Sequence, residues 1–371
     1  MSSKESIKIE EFKDELNSYS DESLFNITSF GTDLTFRELS TMYEEGDLEK
    51  PEMQRHYVWN RMEASRFIDS LLLGLPVPSI FLAKTKDNKR LIVDGYQRIM
   101  TVYDYMQGSF SGDQKSFKLY NSDVINSRWR GKTFAELSQE QQRAIKTYPI
   151  HAIIFEQKQP EDDTGMYQIF ERINTGGRTL KAQEIRNCVY HGKLNQLLLE
   201  LNKESFWRDI LDMQCIDSRM QDVELVLRFL AFRDIDEHTE MTHQINLVKY
   251  LNQFMGKNIN IDDSDCELIT KDFSMTMNYI FNCLGKIAFR NGTEKNGVFK
   301  YNSKINPVIF DAVSVAAFRY IKSGGSEPIT EERYQSLLKD TEFQKVIKHR
   351  TTNTQNIRDR QRISYDILFG E

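Results

Sequence analysis

Cysteine, histidine and basic charge are all in short supply in this chain, and each shortage excludes something. Four cysteines (Cys188, Cys215, Cys266 and Cys283) are scattered through 371 residues without a CxxC pair. That pattern excludes a disulfide frame or a zinc knuckle and fits the reduced thiols of a cytoplasmic protein. Lys and Arg number 49 against 55 Asp and Glu, a net charge of −6, so a surface that coats nucleic acid everywhere is excluded while a local basic face is not. The opening segment "MSSKESIKIEEFKDELNSYSDES" has no apolar leader, and no later run approaches a membrane span. No membrane partner is expected. "NTGGRT" lacks the G-K-[ST] of a Walker A loop, and no G-x-S-x-G, HExxH or dinucleotide fingerprint occurs.

What the chain does have is core material: 39% apolar residues, including 23 Phe and 16 Tyr, which excludes disorder for most of its length. Residues 1–30 are polar and acidic and read as a loose arm. From 31 to 192 the pattern alternates. "TFRELSTMYEEG" and "RMEASRFIDSLLLGLP" have helical spacing, "PSIFLAK" and "RLIVDG" read as strands flanking a "TKDNK" turn, and "YPIHAIIFEQ" is again strand-like. Helical segments around "GMYQIFERINTGG" and "LKAQEIRNCVYHG" follow. From 193 to 371 strand signals fade and helices succeed one another. The fold class expected is therefore α+β, with an all-helical C-terminal domain after the mixed one.

The stretch "RLIVDGYQRIMTVYDYMQG" carries the chemistry. A strand ending at Asp94-Gly95 and running straight into a helix presents backbone N–H groups and the positive end of the helix dipole to whatever lies over the loop. Gly95 lets the backbone turn and lets a ligand approach. Arg98 could set its guanidinium fork against a phosphate, and Asp94 could hold a metal or water, or orient Arg98. The bland alternative makes Asp94 an N-cap and Arg98 an ion-paired residue. "PEMQRHYVWN" adds Gln54, Arg55, Tyr57 and Trp59, with Arg61 beyond. "FERINTGGRTLKAQEIRN" adds Arg172, Asn174, Glu184, Arg186 and Asn187. Taken alone, Tyr57 and Trp59 read as core or rim residues, "NTGG" as a helix stop, and Glu184 and Arg186 as a solvated helix face.

In this order, "P-x-x-QR-x-Y-x-W … IVDGxQR … F-x-R-x-N-T-GG … L-x-x-x-E-I-R-N" resembles the N-terminal domain family of GmrSD-type, modification-dependent restriction systems, over roughly residues 34–192. The resemblance implies a ParB/sulfiredoxin-like fold. It also implies a DGQQR signature that binds and hydrolyses nucleoside triphosphates and so regulates DNA cleavage in phage defence. Asp94, Gly95, Gln97 and Arg98 fall on four of its five positions, Gln54 and Arg55 on its upstream QR pair, and Asn174 on its "NTGG" asparagine. Tyr96 stands where the family usually has Gln, and a tyrosine lacks the amide's paired donor and acceptor, which puts hydrolysis in question. The expected site thus has Asp94 and Gln97 as catalytic residues. Gln54, Arg55, Gly95, Tyr96, Arg98 and Asn174 would bind the nucleotide, with Mg²⁺ on Asp94.

The family's restriction enzymes usually cut with an HNH domain. The histidines here (His56, His151, His191, His238, His243 and His349) form no such cluster. A separate nuclease effector is therefore an expected partner. Two weaker alternatives stay open. Glu156 and Lys158 in "HAIIFEQK", with Asp123 upstream, resemble the E-x-K of a metal-dependent nuclease. Arg358 and Arg362, one turn apart in "VIKHRTTNTQNIRDRQRISYDIL", could contact DNA phosphates in a ParB-like DNA-binding protein without turnover, or could simply be a solvated helix face. Thr352-Asn353-Thr354 would cap that helix in either case.

Overall fold

A computed structural model describes residues 8–11, 27–50, 59–85, 87–157, 164–173, 180–190, 192–217, 219–233 and 245–370. They form two compact units. One comprises the described residues of Asp21–Leu180 with Asn187–Val189, and the other those of Met1–Ser20, Lys181–Arg186 and Tyr190–Glu371. The chain is α+β, as the alternating and then helical patterns predict.

The first unit runs β1 (Ile27–Thr35), α1 (Phe36–Glu44), β2 (Leu48–Glu49), α2 (Arg61–Leu72), β3 (Ile80–Lys84), β4 (Arg90–Asp94) and α3 (Tyr96–Gln107). A small hairpin, β5 (Ser109–Phe110) and β6 (Lys115–Ser116), precedes α4 (Gln139–Thr147), β7 (Pro149–Gln157) and α5 (Thr164–Ile173). Five strands make one mixed sheet in the order β1-β7-β3-β4-β2. Pairing is antiparallel for β1–β7 and β3–β4 and parallel for β3–β7 and β2–β4. The uninterrupted apolar run Leu91-Ile92-Val93 fits its place, because β4 is buried on both faces.

The helices over the sheet begin where the sequence supplies caps. Asn60 accepts from the amides of Met62 and Glu63, and Glu63 returns a bond to the Asn60 amide, a capping box that fixes the start of α2. Farther along α2, the Asp69 carboxylate accepts from the Asn126 amide and the Trp129 indole, anchoring the long connection before α4. Phe36, Phe67, Ile80, Leu82, Ile92, Tyr96, Ile99, Tyr105 and Trp129 share one core. Arg61 is part of this scaffold: its fork grips Asp113 at 2.9 and 2.7 Å and lies over the Phe110 ring.

The boundary between the units falls inside α6 (Ala182–Val189). The second unit continues with α7 (Lys193–Leu201), α8 (Ser205–Leu211), α9 (Gln221–Arg233), α10 (Leu247–Lys257) and α11 (Asp263–Leu284). After these come β8 (Arg290–Lys295), β9 (Val298–Ile305), α12 (Pro307–Lys322), α13 (Glu331–Lys339), α14 (Thr341–Lys348) and α15 (Thr354–Phe369). Asn353 caps α15, as expected. Two findings depart from the sequence reading. The β8–β9 hairpin interrupts the helices, turning on Asn296-Gly297 with both residues left-handed, the backbone a two-residue hairpin requires. Within the expected N-terminal arm, Ile9 is buried and bridges to Ile305.

This unit is held by charge as well as by apolar packing. Asp311 on α12 is fully buried and receives Arg228 of α9 at 2.9 and 2.5 Å and Arg360 of α15 at 3.2 Å. Burial pulls the Arg360 guanidinium down to about 10, opposed by the attraction of Asp311. Arg186 of α6 bonds Asn252, Gln183 and Glu224. Removing one partner of a buried pair strands the other charge, which typically costs about 3–5 kcal/mol. Asp311→Asn should therefore lower unfolding stability in urea by about that much, and a loss nearer the ~1 kcal/mol of a surface pair would contradict this role for Asp311.

Candidate functional site

The strand β4 ends at Asp94, and the next residue turns the chain. Gly95 has φ +104° and serves as the N-cap of α3, with no side-chain cap bond. Asp94 is therefore not the N-cap that the bland reading made it. A helix end of this kind presents amides that lack intrahelical acceptors, together with the positive end of the dipole. The space that a Cβ on Gly95 would need is taken by Ile80 of β3, whose own Cβ lies 2.9 Å from that position. Glycine is thus required here by the backbone and by the neighbouring strand.

Arg98, one turn into α3, reaches back over the strand end. Its Nη2 donates to Asp94 Oδ2 at 2.6 Å and to the Ser79 carbonyl at 3.1 Å, so one guanidinium ties α3, β4 and the residue before β3. The arginine side chain is 15% exposed and the Asp94 side chain 44%. Arg98 Nε is buried and has no acceptor among the described residues. The pair is therefore a held guanidinium beside a carboxylate that keeps access to solvent. Such a guanidinium can bind an oxyanion, and such a carboxylate can bind a cation or water.

The other expected residues fall in several places. Gln97 Oε1 accepts from the Trp59 amide at 3.3 Å, tying the first turn of α3 to the segment that enters α2. Tyr96 is buried in the core, so its ring belongs to the packing under the site and not to the surface around Asp94. Burial, with Tyr43 and Asp104 adding, pushes its hydroxyl up to about 12. Gln54, Arg55, Asn174 and Lys158 lie outside the described residues.

Of the nuclease pattern, Glu156 and Asp123 are described. Glu156 pairs with Lys84 at 3.1 Å, Asp123 with Arg130 at 2.8 Å, and among the described residues no group of three His, Cys, Asp or Glu could hold a metal. Glu184 and Arg186 are not a solvated face. Both are buried, Glu184 paired with Arg219 and Arg186 in the polar network above. Arg362 is exposed and pairs with Asp366 and Asp359 on its own helix, while Arg358 is half-buried. Ser79 and Ile80 are the site residues missed from sequence. One contributes only a carbonyl and the other only bulk, so neither leaves a chemical signal.

Residues 36–191 match the family described as GmrSD restriction endonuclease, N-terminal domain. The matched region includes β4, Gly95 and the start of α3. No match was found among curated proteins or among solved structures.

Two outcomes are expected. Gly95→Ala combines a left-handed backbone with overpacking against Ile80 and should cost about 2–4 kcal/mol of stability in denaturant unfolding. A loss below ~0.5 kcal/mol would show that the turn is not constrained as described. For Tyr96, folded and unfolded chains are both protonated below pH 10. Between pH 10 and about 12 only the unfolded chain ionises, so stability is lost as the pH rises through that window. Tyr96→Phe should remove this residue's share of the loss, and unfolding curves with identical alkaline slopes in both proteins would contradict it.

Proposed function

We propose that the protein is a nucleotide-binding regulatory or sensor component of a bacterial DNA-restriction system, acting in the cytoplasm in defence against phage. The domain over residues 36–191 supports the restriction-system part. The nucleotide part rests on one observation, the Arg98 guanidinium held at an uncapped helix start by Asp94 and the Ser79 carbonyl.

In this reading a triphosphate lies over the Gly95 turn, where the first amides of α3 and Arg98 receive phosphate oxygens. Asp94 holds the guanidinium in place before the ligand arrives. Mg²⁺ fits the donors present in a limited way: Asp94 is a half-exposed carboxylate, and Mg²⁺ is commonly held by one or two carboxylates together with substrate phosphates and water. Bound there, the metal would neutralise phosphate charge. Gln97 ties Trp59 to the start of α3, and Arg55 would contact the same ligand, as the family resemblance implies. Asn174 would close the other side. DNA and a separate nuclease effector are the partners that a restriction role requires. The proposed role is nucleotide binding, because Tyr96 supplies no amide at the family's glutamine position.

Thermal unfolding with ATP, GTP, CTP and UTP in the presence of Mg²⁺ tests the proposal. A ligand that binds only the native state raises Tm; at one hundred times Kd it contributes about 2.7 kcal/mol. At least one nucleotide should raise Tm of the wild type by several degrees, and Arg98→Ala should lose that rise while keeping its own cooperative transition. An equal rise in the variant would remove Arg98 from the site. A DNA-binding reading without turnover is separated by salt, because contacts to many phosphates weaken steeply as salt rises and a single nucleotide responds much less.

A further inference from the structure

We propose that the outward face of the β8–β9 hairpin in the helical unit is a docking surface for double-stranded DNA, seated as a two-stranded ribbon in the major groove. It rests on the reading above in which DNA is a partner, and it names the surface that meets that partner.

The register assigns the two faces of the hairpin. Thr293 lies opposite Lys300 and Lys295 opposite Val298, so these four residues share one face. Gly292 and Glu294, opposite Tyr301 and Phe299, share the other. That second face is occupied. Glu294 pairs with Lys339 of α13 at 2.6 Å, and the Lys339 ammonium stands 5.4 Å from the centre of the Phe299 ring. Tyr301 donates to Glu331 at 3.1 Å and stacks on Tyr334. Phe299 lies across Gly292, leaving no room there for a Cβ. One face therefore holds the hairpin on α13, and the other points away from it.

The outward face carries charge of one sign. Thr293, Lys295, Val298 and Lys300 are all exposed, and Lys304 is exposed in the stretch where the register shifts. None of these three lysines has an ion-pair partner among the described residues. From Lys286 to Phe310 the only acid is Glu294, and Lys339 neutralises it on the opposite face. A polyanion complements such a strip, and the ribbon's shape selects the duplex: a major groove about 12 Å wide admits two paired strands. In that pose the lysines meet backbone phosphates. Val298, 62% exposed beside the Asn296-Gly297 turn, gives the ribbon an apolar tip of the kind that meets thymine methyl groups on the groove floor.

The test is fluorescence anisotropy of a labelled duplex titrated with the full chain at several salt concentrations. The proteins compared are wild type, the double variant Lys295→Gln with Lys300→Gln, and Lys271→Gln. Lys271, on α11, is an exposed lysine away from the hairpin. All three replacements are at exposed positions, so melting temperatures close to wild type are expected. The hairpin variant should bind about tenfold or more weaker in ~0.1 M salt, with the slope of log affinity against log salt reduced by about two, one for each lost phosphate contact. Lys271→Gln should match wild type. If wild type binds the duplex and the hairpin variant matches it in affinity and slope, the hairpin assignment falls while DNA remains a partner. It also falls if Lys271→Gln loses as much, since the duplex is then responding to net charge alone. No duplex binding by wild type up to ~0.1 mM protein in ~50 mM salt overturns the assignment together with DNA as a direct partner. Vesicles of phosphatidylcholine and phosphatidylserine give the last comparison: binding them through Lys295 and Lys300 while the duplex fails would make the strip a membrane-facing patch and overturn the proposal.

Discussion

The backbone at Gly95 is the constraint on which the candidate site depends. The chain must leave the buried strand β4 and start α3 at once, and it does so through a left-handed residue pressed against Ile80 of the neighbouring strand. No side chain fits there, so none caps the helix. The free end of α3 and the reach of Arg98 back to Asp94 and Ser79 both follow from that turn. Fold and site thus share one geometric cause: the strand fixes Asp94, the helix fixes Arg98, and the glycine sets the angle between them. Tyr96 and Gln97, the two residues between, divide their duties. One packs downward into the core and the other holds the Trp59 segment.

The helical unit solves a different problem. Its central helices carry arginines into the interior, where a guanidinium is tolerated only if paired and hydrogen-bonded. Asp311 accepts two of them, and Arg186 spreads its donors over Asn252, Gln183 and Glu224. These directional contacts select one arrangement of α6, α9, α12 and α15 where apolar packing alone would allow several.

Much of the mixed unit was legible in sequence because its elements announce themselves by burial pattern. Leu91-Ile92-Val93 reads as a strand by its apolar run, and in the helical unit Asn353 reads as a cap. The β8–β9 hairpin was not legible. Its strands are largely exposed, so the apolar alternation that marks a half-buried strand is missing, and only Asn296-Gly297 signals a turn. Glu184 and Arg186 were misread for the converse reason. Charged residues at helical spacing look solvated, and only the partners brought by α9, α10 and Arg219 make their burial possible. At the site, the sequence named Asp94, Gly95 and Arg98, whose side-chain chemistry or lack of a side chain is visible in the letters. It could not name Ser79 or Ile80, which act through a carbonyl and through bulk.

The most direct test of the central claim is to watch the start of α3 itself. Amide and arginine resonances of the isotopically labelled protein can be followed while a triphosphate with Mg²⁺ is titrated in. The account predicts that the Tyr96 and Arg98 amides and the Arg98 Nε–H move together, saturating with one affinity, because phosphate oxygens take up the two amides and lie against the Arg98 guanidinium. Saturable binding that leaves all three resonances in place would contradict it and would put the nucleotide somewhere other than the Gly95 turn.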